Sequence, residues 1–263
     1  MEGVAAIAAG ARDRAPVRRY RCGLALLGLC LALAMPARAE GWRATDVQVL
    51  YGTDFELGSP NRMTVTTEHA QGGAWGDIYV FLDTFFRDDI NTELYEEAYL
   101  QLSLSWLSGR PVAFGPITDV DLSVSFHASD EPAADPFRAM LAGISFDIAI
   151  PGFTFFQFDI HAYKNDDVND VGVQFTPVWD LSFHLGRVPM RFRGHVDVLS
   201  PDTFRGRRWQ WLTQPQLLVD VGALGAAAPG HLYAGIELAY WHNKYSVRNV
   251  DETVAQAMVM LAF

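Results

Sequence analysis

Ala255-Gln256-Ala257-Met258-Val259-Met260-Leu261-Ala262-Phe263 is the stretch that decides the fold. Residues two apart share a face of a strand, so Ala257, Val259, Leu261 and Phe263 form one apolar face. Val254, Gln256, Met258 and Met260 form the other. No polar tail follows Phe263. The pattern predicts the closing strand of a transmembrane barrel, pairing back to the first strand with an aromatic ring at the membrane interface. Phe263 is therefore expected to face outward and to present the last strand to the barrel assembly machinery.

Working back from that strand, alternating segments of roughly ten residues recur, as membrane strands require. They fall at 44–52, 61–69, 76–86, 94–106, 118–128, 140–150, 153–163, 170–179, 188–198, 209–220, 232–242 and 253–263. These twelve predict an all-β, antiparallel up-and-down barrel, and the even count places both termini on the same side. The odd-numbered links, such as Lys164-Asn165-Asp166-Asp167-Val168-Asn169, are polar and mostly acidic, as outer loops should be. Among the even-numbered links, Pro151-Gly152 is tight, whereas 107–117, 180–187 and 221–231 are long for periplasmic turns. Gly72-Gly73 reads as a turn, with no helix after it to present a phosphate site.

A charge facing lipid at mid-membrane costs about 2–4 kcal/mol, so the charged face of each segment is assigned to the lumen. By that rule Asp77, Tyr79, Phe81 and Asp83 point inward against Ile78, Val80 and Leu82. Glu93, Tyr95, Glu97, Tyr99 and Gln101 are placed inside, as are Asp121, Ser123 and His127. The same holds for Gln157, Asp159, His161 and Tyr163, for Arg191, Arg193, His195 and Asp197, and for Gln214, Gln216 and Asp220. The expected interior is polar and mainly acidic, with aromatic rings and one basic strip. A soluble lipocalin-like barrel would invert the faces and leave these acids in a dry core.

At the other end, Arg12, Arg14, Arg18, Arg19 and Arg21 precede the apolar run 22–35 and the small-x-small pattern Ala37-Arg38-Ala39. This predicts a secretory signal peptide over residues 1–39 and a barrel over 40–263. The apolar run is short of the roughly 20 residues of a spanning helix. Both cysteines, Cys22 and Cys30, would leave with the signal. So would six of the 20 basic and two of the 31 acidic residues, giving a mature net charge of −15. That balance argues against nucleic acid as a partner. Outer-membrane lipid is the expected surroundings.

Several motifs in order resemble the Tsx-type nucleoside-specific channels, including their OmpK-like members. Glu68-His69 followed by Gly76-Asp77-Ile78-Tyr79-Val80-Phe81-Leu82-Asp83 is similar to that family's Gly-Asp-x-aromatic-x-Phe-x-Asp signature. Pro151-Gly152-Phe153, Thr176-Pro177-Val178-Trp179, Gly194-His195-Val196-Asp197, Gln214-Pro215-Gln216 and Tyr233-Ala234-Gly235-Ile236-Glu237 follow in sequence. The resemblance implies a twelve-stranded monomeric outer-membrane barrel with a narrow channel for nucleosides, some members also serving as phage receptors.

The local chemistry suits such a cargo. Bases stack on aromatic rings, and ribose hydroxyls need acceptors and amides. Asp77, Tyr79, Phe81, Asp83, Tyr95, Glu97, Tyr99, Gln101, Gln214, Gln216 and Glu237 are the candidate substrate-binding residues of the lumen, with Asp77 and Asp83 foremost. Arg191 and Arg193 join them, their simpler role being counter-charge to lumen carboxylates. Generic polar filling of a small barrel is the competing account of each. No Gly-x-Ser-x-Gly elbow and no zinc-ligand spacing is present, so no catalytic or metal-binding residue is named and no cofactor is expected. An enzyme is disfavoured. A surface receptor or structural barrel is the alternative to a channel.

Overall fold

The computed structural model describes residues 41–88, 92–130 and 136–263. The signal peptide expected over 1–39, and parts of two expected outer loops, lie outside the described residues.

The chain forms β1 (Trp42–Gly52), β2 (Arg62–Gly73), β3 (Gly76–Arg87), β4 (Glu93–Ser103), a short helix α1 (Leu104–Ser108), β5 (Ile117–Asp130), β6 (Phe137–Ile148) and β7 (Phe153–Asn165). Then come β8 (Gly172–Leu185), β9 (Val188–Leu199), β10 (Gln210–Thr213), β11 (Gln216–Asp220), β12 (Leu232–His242) and β13 (Glu252–Ala262). β10 and β11 share one register against β9 and one against β12, so they are halves of a single stave interrupted at Gln214-Pro215. Twelve antiparallel staves follow in sequence order, and β13 pairs with both β12 and β1 to close the ring. The Phe263 amide completes the seam by donating to the Thr45 carbonyl at 2.8 Å. Closure leaves no unpaired sheet edge, the condition for a sheet in lipid.

Three expected boundaries are corrected. The segment 94–106 ends as a strand at Ser103, whose hydroxyl accepts from the Trp106 amide at 3.0 Å and starts α1. Gly109, at φ 67°, ends that helix in the left-handed conformation. β2 runs on to Gly73, so Gly72-Gly73 lies in the strand and the turn is Ala74-Trp75. A side chain at Gly72 would meet Asp77 Cβ at 2.8 Å and the Trp42 ring at 2.9 Å, so close packing, and not turning, requires this glycine. β8 extends to Leu185, which shrinks the link 180–187 to Gly186-Arg187. The link 221–231 stays long because Asp220 organises it, accepting from the amides of Ala223 at 2.9 Å and Gly230 at 2.8 Å.

One strand is held less completely than its neighbours. Pro177 in β8 and Pro215 in the β10/β11 stave carry no N–H, and they sit on opposite sides of β9, next to Val196 and Gly194. Any Cβ at Gly194 would lie 2.8 Å from Pro215 Cα, and its φ of 154° is in the region that favours glycine.

Burial alternates along the strands. In β13, Glu252, Val254, Gln256, Met258 and Met260 are buried, while Ala257, Val259 and Leu261 are exposed. The outward face is apolar, with Leu100, Leu122, Val124, Met140, Val173, Leu217 and Ile236 upon it. Exposed aromatics gather at both rims: Trp42, Trp106, Phe114, Phe155 and Phe263 at the end with the termini, and Tyr51, Phe86, Trp209 and Trp211 at the other. Aromatic belts flanking an apolar band are what a membrane interface selects. His69 and Glu96 are polar exceptions on this face. Both are almost fully covered, and a His69 ring nitrogen lies 2.7 Å from the Thr45 hydroxyl. The molecule is a bacterial outer-membrane barrel.

The interior is less uniformly polar than its sequence suggests. Leu50, Leu218, Met258 and Met260 cluster inside near Tyr233, and Ala139, Leu141, Tyr163 and Leu199 form a second cluster. These apolar groups fill width that polar side chains and water would otherwise occupy.

Candidate functional site

The lumen is crossed from β9, whose inward side chains Arg191, Arg193, His195 and Asp197 alternate with Phe192, Gly194 and Val196. The Arg193 guanidinium crosses the lumen to Asp46 on β1, at 3.1 Å, and to Glu68 on β2. β2 lies five staves from β9 around a ring of twelve, so this bridge runs almost across the full diameter. Arg191 stays on its own wall, where its fork holds Asp180 of β8. Both arginines are thus counter-charges to lumen carboxylates.

Beside the bridge runs a belt of amides. Glu237 accepts from Gln214 at 3.2 Å, Gln216 at 2.8 Å and Gln256 at 2.8 Å. Gln216 also donates to Gln48 across the closing seam at 2.9 Å. Three donors converging on one carboxylate fix its orientation as a rigid polar surface.

Opposite β9 stands an aromatic wall. Tyr79 lies 5.9 Å from Phe81 and 6.2 Å from Tyr99, and Phe81 lies 5.9 Å from Tyr95, centroid to centroid. The series continues through His127 and His161, 5.5 and 6.3 Å from Tyr99. Glu97 orients it, accepting from the hydroxyls of Tyr95 at 2.5 Å and Tyr99 at 2.7 Å. Asp83 accepts from Thr66.

Accessibility marks which lumen surfaces face free space. Gln101, Asp121, His161, Gln174, Asp180, Gln216, Glu237 and Gln256 are buried. Tyr79, Phe81, Tyr95, Glu97 and Tyr99 keep partial exposure, as do Arg191, Arg193, His195 and Asp197 on β9. The His195 side chain, 31% exposed, is more open than those of Arg191, Arg193 and Asp197. The partly exposed lumen side chains are therefore those of the aromatic wall and of β9.

At the end away from the termini, three loops fold together. Phe204 stacks on Phe137 at 5.9 Å and approaches Tyr163 at 6.2 Å, while Thr203 beside it is fully buried. Lys244, 1% exposed, donates to Glu252 at 2.5 Å and to the Glu56 carbonyl at 3.2 Å, and its ammonium lies 5.3 Å from the Trp241 ring. Burial pushes the Lys244 ammonium below its ordinary range, and Glu252 opposes that shift. The backbone of 206 approaches Ser246 so closely that a Cβ at Gly206 would sit 2.0 Å from the Ser246 carbonyl oxygen. The outer mouth is thus narrowed by packed, hydrogen-bonded loops.

All thirteen sequence-chosen residues lie on the lumen wall, at different depths. Tyr79, Phe81, Tyr95, Glu97 and Tyr99 come together, as do Gln214, Gln216 and Glu237. Asp77 and Asp83 do not: six residues of one strand separate them by about 20 Å. Asp77 and Gln101 lie toward the end bearing the termini, where Gln101 accepts from Gln157 at 2.7 Å. Asp46, Glu68 and Asp180, the acceptors of the two arginines, were not among the chosen residues. Asp46 was legible, since it alternates with Thr45 and Val47 by the same face rule. Asp180 falls just past the segment 170–179 that alternation marks, yet β8 continues through it to Leu185. Among the described residues no group of three His, Cys, Asp or Glu could hold a metal ion directly.

No protein-family profile matches the chain, and no curated protein does. Solved structures with a similar chain path include the KdgM porin, at 9% identity and TM-score 0.49, covering 84% of this chain and 99% of that one. The translocator domain of the autotransporter NalP from Neisseria meningitidis matches at 12% identity and TM-score 0.40, covering 91% and 97%. OccK10 (OpdN) from Pseudomonas aeruginosa matches at 10% identity and TM-score 0.39, covering 86% and 99%.

Proposed function

We propose that this barrel is a channel for passive uptake of small neutral solutes, and that nucleosides are its preferred cargo. The observation that carries the reading is the facing pair of surfaces in the lumen. Partly exposed Tyr79, Phe81, Tyr95 and Tyr99 stand on one side, and the β9 polar strip with the Glu237 amide belt stands on the other. A flat base stacks on the first while ribose hydroxyls exchange hydrogen bonds with the second. The sequence resemblance to nucleoside-specific channels points the same way. Because acids outnumber arginines on the inward faces, phosphorylated nucleotides are repelled where neutral nucleosides are not.

Planar-bilayer recordings of the purified barrel test this. Uridine and adenosine should reduce the ion current at concentrations where glucose and uridine monophosphate do not. Block by glucose without block by uridine would exclude nucleosides as the cargo, and absence of any conductance would make the barrel a receptor or structural protein.

A further inference from the structure

The end of the lumen nearest the termini holds four carboxylates that the aromatic path does not use. Asp121 on β5 and Asp159 on β7 lie in one row, joined through Ser145. Asp147 on β6 lies one row further toward the rim, and Asp77 on β3 completes the group. The principal electrostatic neighbours of Asp77 are Asp147, Asp121 and Asp159, and those of Asp121 are Asp147, Asp119 and Asp159. Each faces other acids.

Their polar contacts are neutral. Ser145 donates to Asp159 at 2.5 Å and Gln157 to Asp147 at 3.0 Å. Among the described residues none of the four shares an ion pair; Arg191 is engaged with Asp180, Arg193 with Asp46 and Glu68, and Arg87 with Glu93. Asp121 adds an independent sign. It is only 2% exposed, its Oδ2 has no hydrogen-bond partner, and the charged groups around it are the acids Asp147, Asp119 and Asp159. A carboxylate oxygen withdrawn from bulk water without a donor costs several kcal/mol unless a counter-charge or a proton reaches it.

No trio of ligands is close enough to bind a bare metal ion. A counter-charge held here would therefore bring its own donors. We propose that Asp77, Asp121, Asp147 and Asp159 form a well for a hydrated cation, held through its water shell, which makes the barrel cation-selective at this mouth. This goes beyond the nucleoside reading and does not depend on it.

The test uses the full barrel, with no nucleoside present, in bilayers under a KCl gradient. The wild type should show a reversal potential of cation-selective sign, and D121N/D159N should move it toward zero, while the loop variant D202N should leave it unchanged. Hexaamminecobalt(III), a stable mimic of a hydrated cation, should bind wild-type barrel in calorimetry and lose that binding in D121N/D159N, whether or not the lumen conducts. Heat-modifiable gel migration verifies that each variant is folded. Anion selectivity, or D121N/D159N retaining both selectivity and hexaamminecobalt binding, would overturn the proposal and indicate a cluster neutralised by protons. Uridine block should persist in D121N/D159N, so a failure here leaves the nucleoside reading standing and the converse also holds.

Discussion

Arg193→Ala is the most informative single perturbation of this lumen. The guanidinium makes charge-assisted contacts with Asp46 and Glu68, each of a type worth about 1.5–3 kcal/mol, so their gross loss is about 3–6 kcal/mol. Lumen water reaches the trio, whose side chains are 17%, 9% and 13% exposed, and can partly hydrate the two carboxylates left behind. Discounted for that access, the expected destabilisation is about 2–4 kcal/mol. Arg193→Lys keeps the charge but not the fork and should fall between. Removing the arginine and one acid together, in R193M/E68Q, should cost less than R193A because a single carboxylate is then left to hydrate. Urea titration of the barrel in lipid vesicles, followed by tryptophan fluorescence, measures these differences. The same substitution removes a side chain that crosses the lumen, so single-channel conductance should rise in R193A. A variant within about 0.5 kcal/mol of wild type and with unchanged conductance would refute the bridge as a structural tie across the lumen.

Three further outcomes are expected. Phe81→Ala or Tyr99→Ala should weaken uridine block by about 1–3 kcal/mol if bases stack on the aromatic wall, as measured by current titration. Lys244→Met leaves the buried Glu252 carboxylate without its cation and should destabilise the barrel by about 3–5 kcal/mol in urea, whereas K244M/E252Q should recover most of that loss. Ala257→Arg, on the outward face at the middle of β13, should cost about 2–4 kcal/mol in vesicles, and a negligible cost would contradict the assignment of that face to lipid.

The parts of this molecule that were legible in its sequence are those written with period two. Alternation in 253–263 and 76–86 gives both the strand and its inward face, because a membrane barrel wall has only two sides and charge is costly on one. Boundaries were less legible where the alternation is broken by residues that a strand can also hold. Gly72-Gly73 has the composition of a turn, yet continues β2 because Asp77 and the Trp42 ring press against it. The Trp106-Leu107 pair abandons alternation one turn after Ser103 caps α1. The site was legible as a set of inward residues but not as neighbours. The Arg193 contacts span 147 and 125 positions, and only the closed ring, with its stave number, brings them face to face. The folding of Phe204 into the outer mouth is likewise a property of packed loops, which no strand period encodes.

The two prolines beside β9 give the wall a mechanical character. In a ring sealed by continuous ladders every stave is clamped along both edges, and its side chains can move only by changing rotamer. Here the stave that carries Arg191, Arg193 and His195 has a proline beside it on each edge, next to Gly194 and Val196, and between them the His195 carbonyl is held by the Gln214 amide at 3.4 Å and the Thr213 hydroxyl at 2.7 Å. With fewer ladder bonds beside the prolines, this part of the wall is expected to yield more readily than the ladders above and below. Amide hydrogen exchange at Gly194 to Val196 should then outpace exchange at the same depth of β4, placing the most yielding part of the wall opposite the rigid aromatic surface.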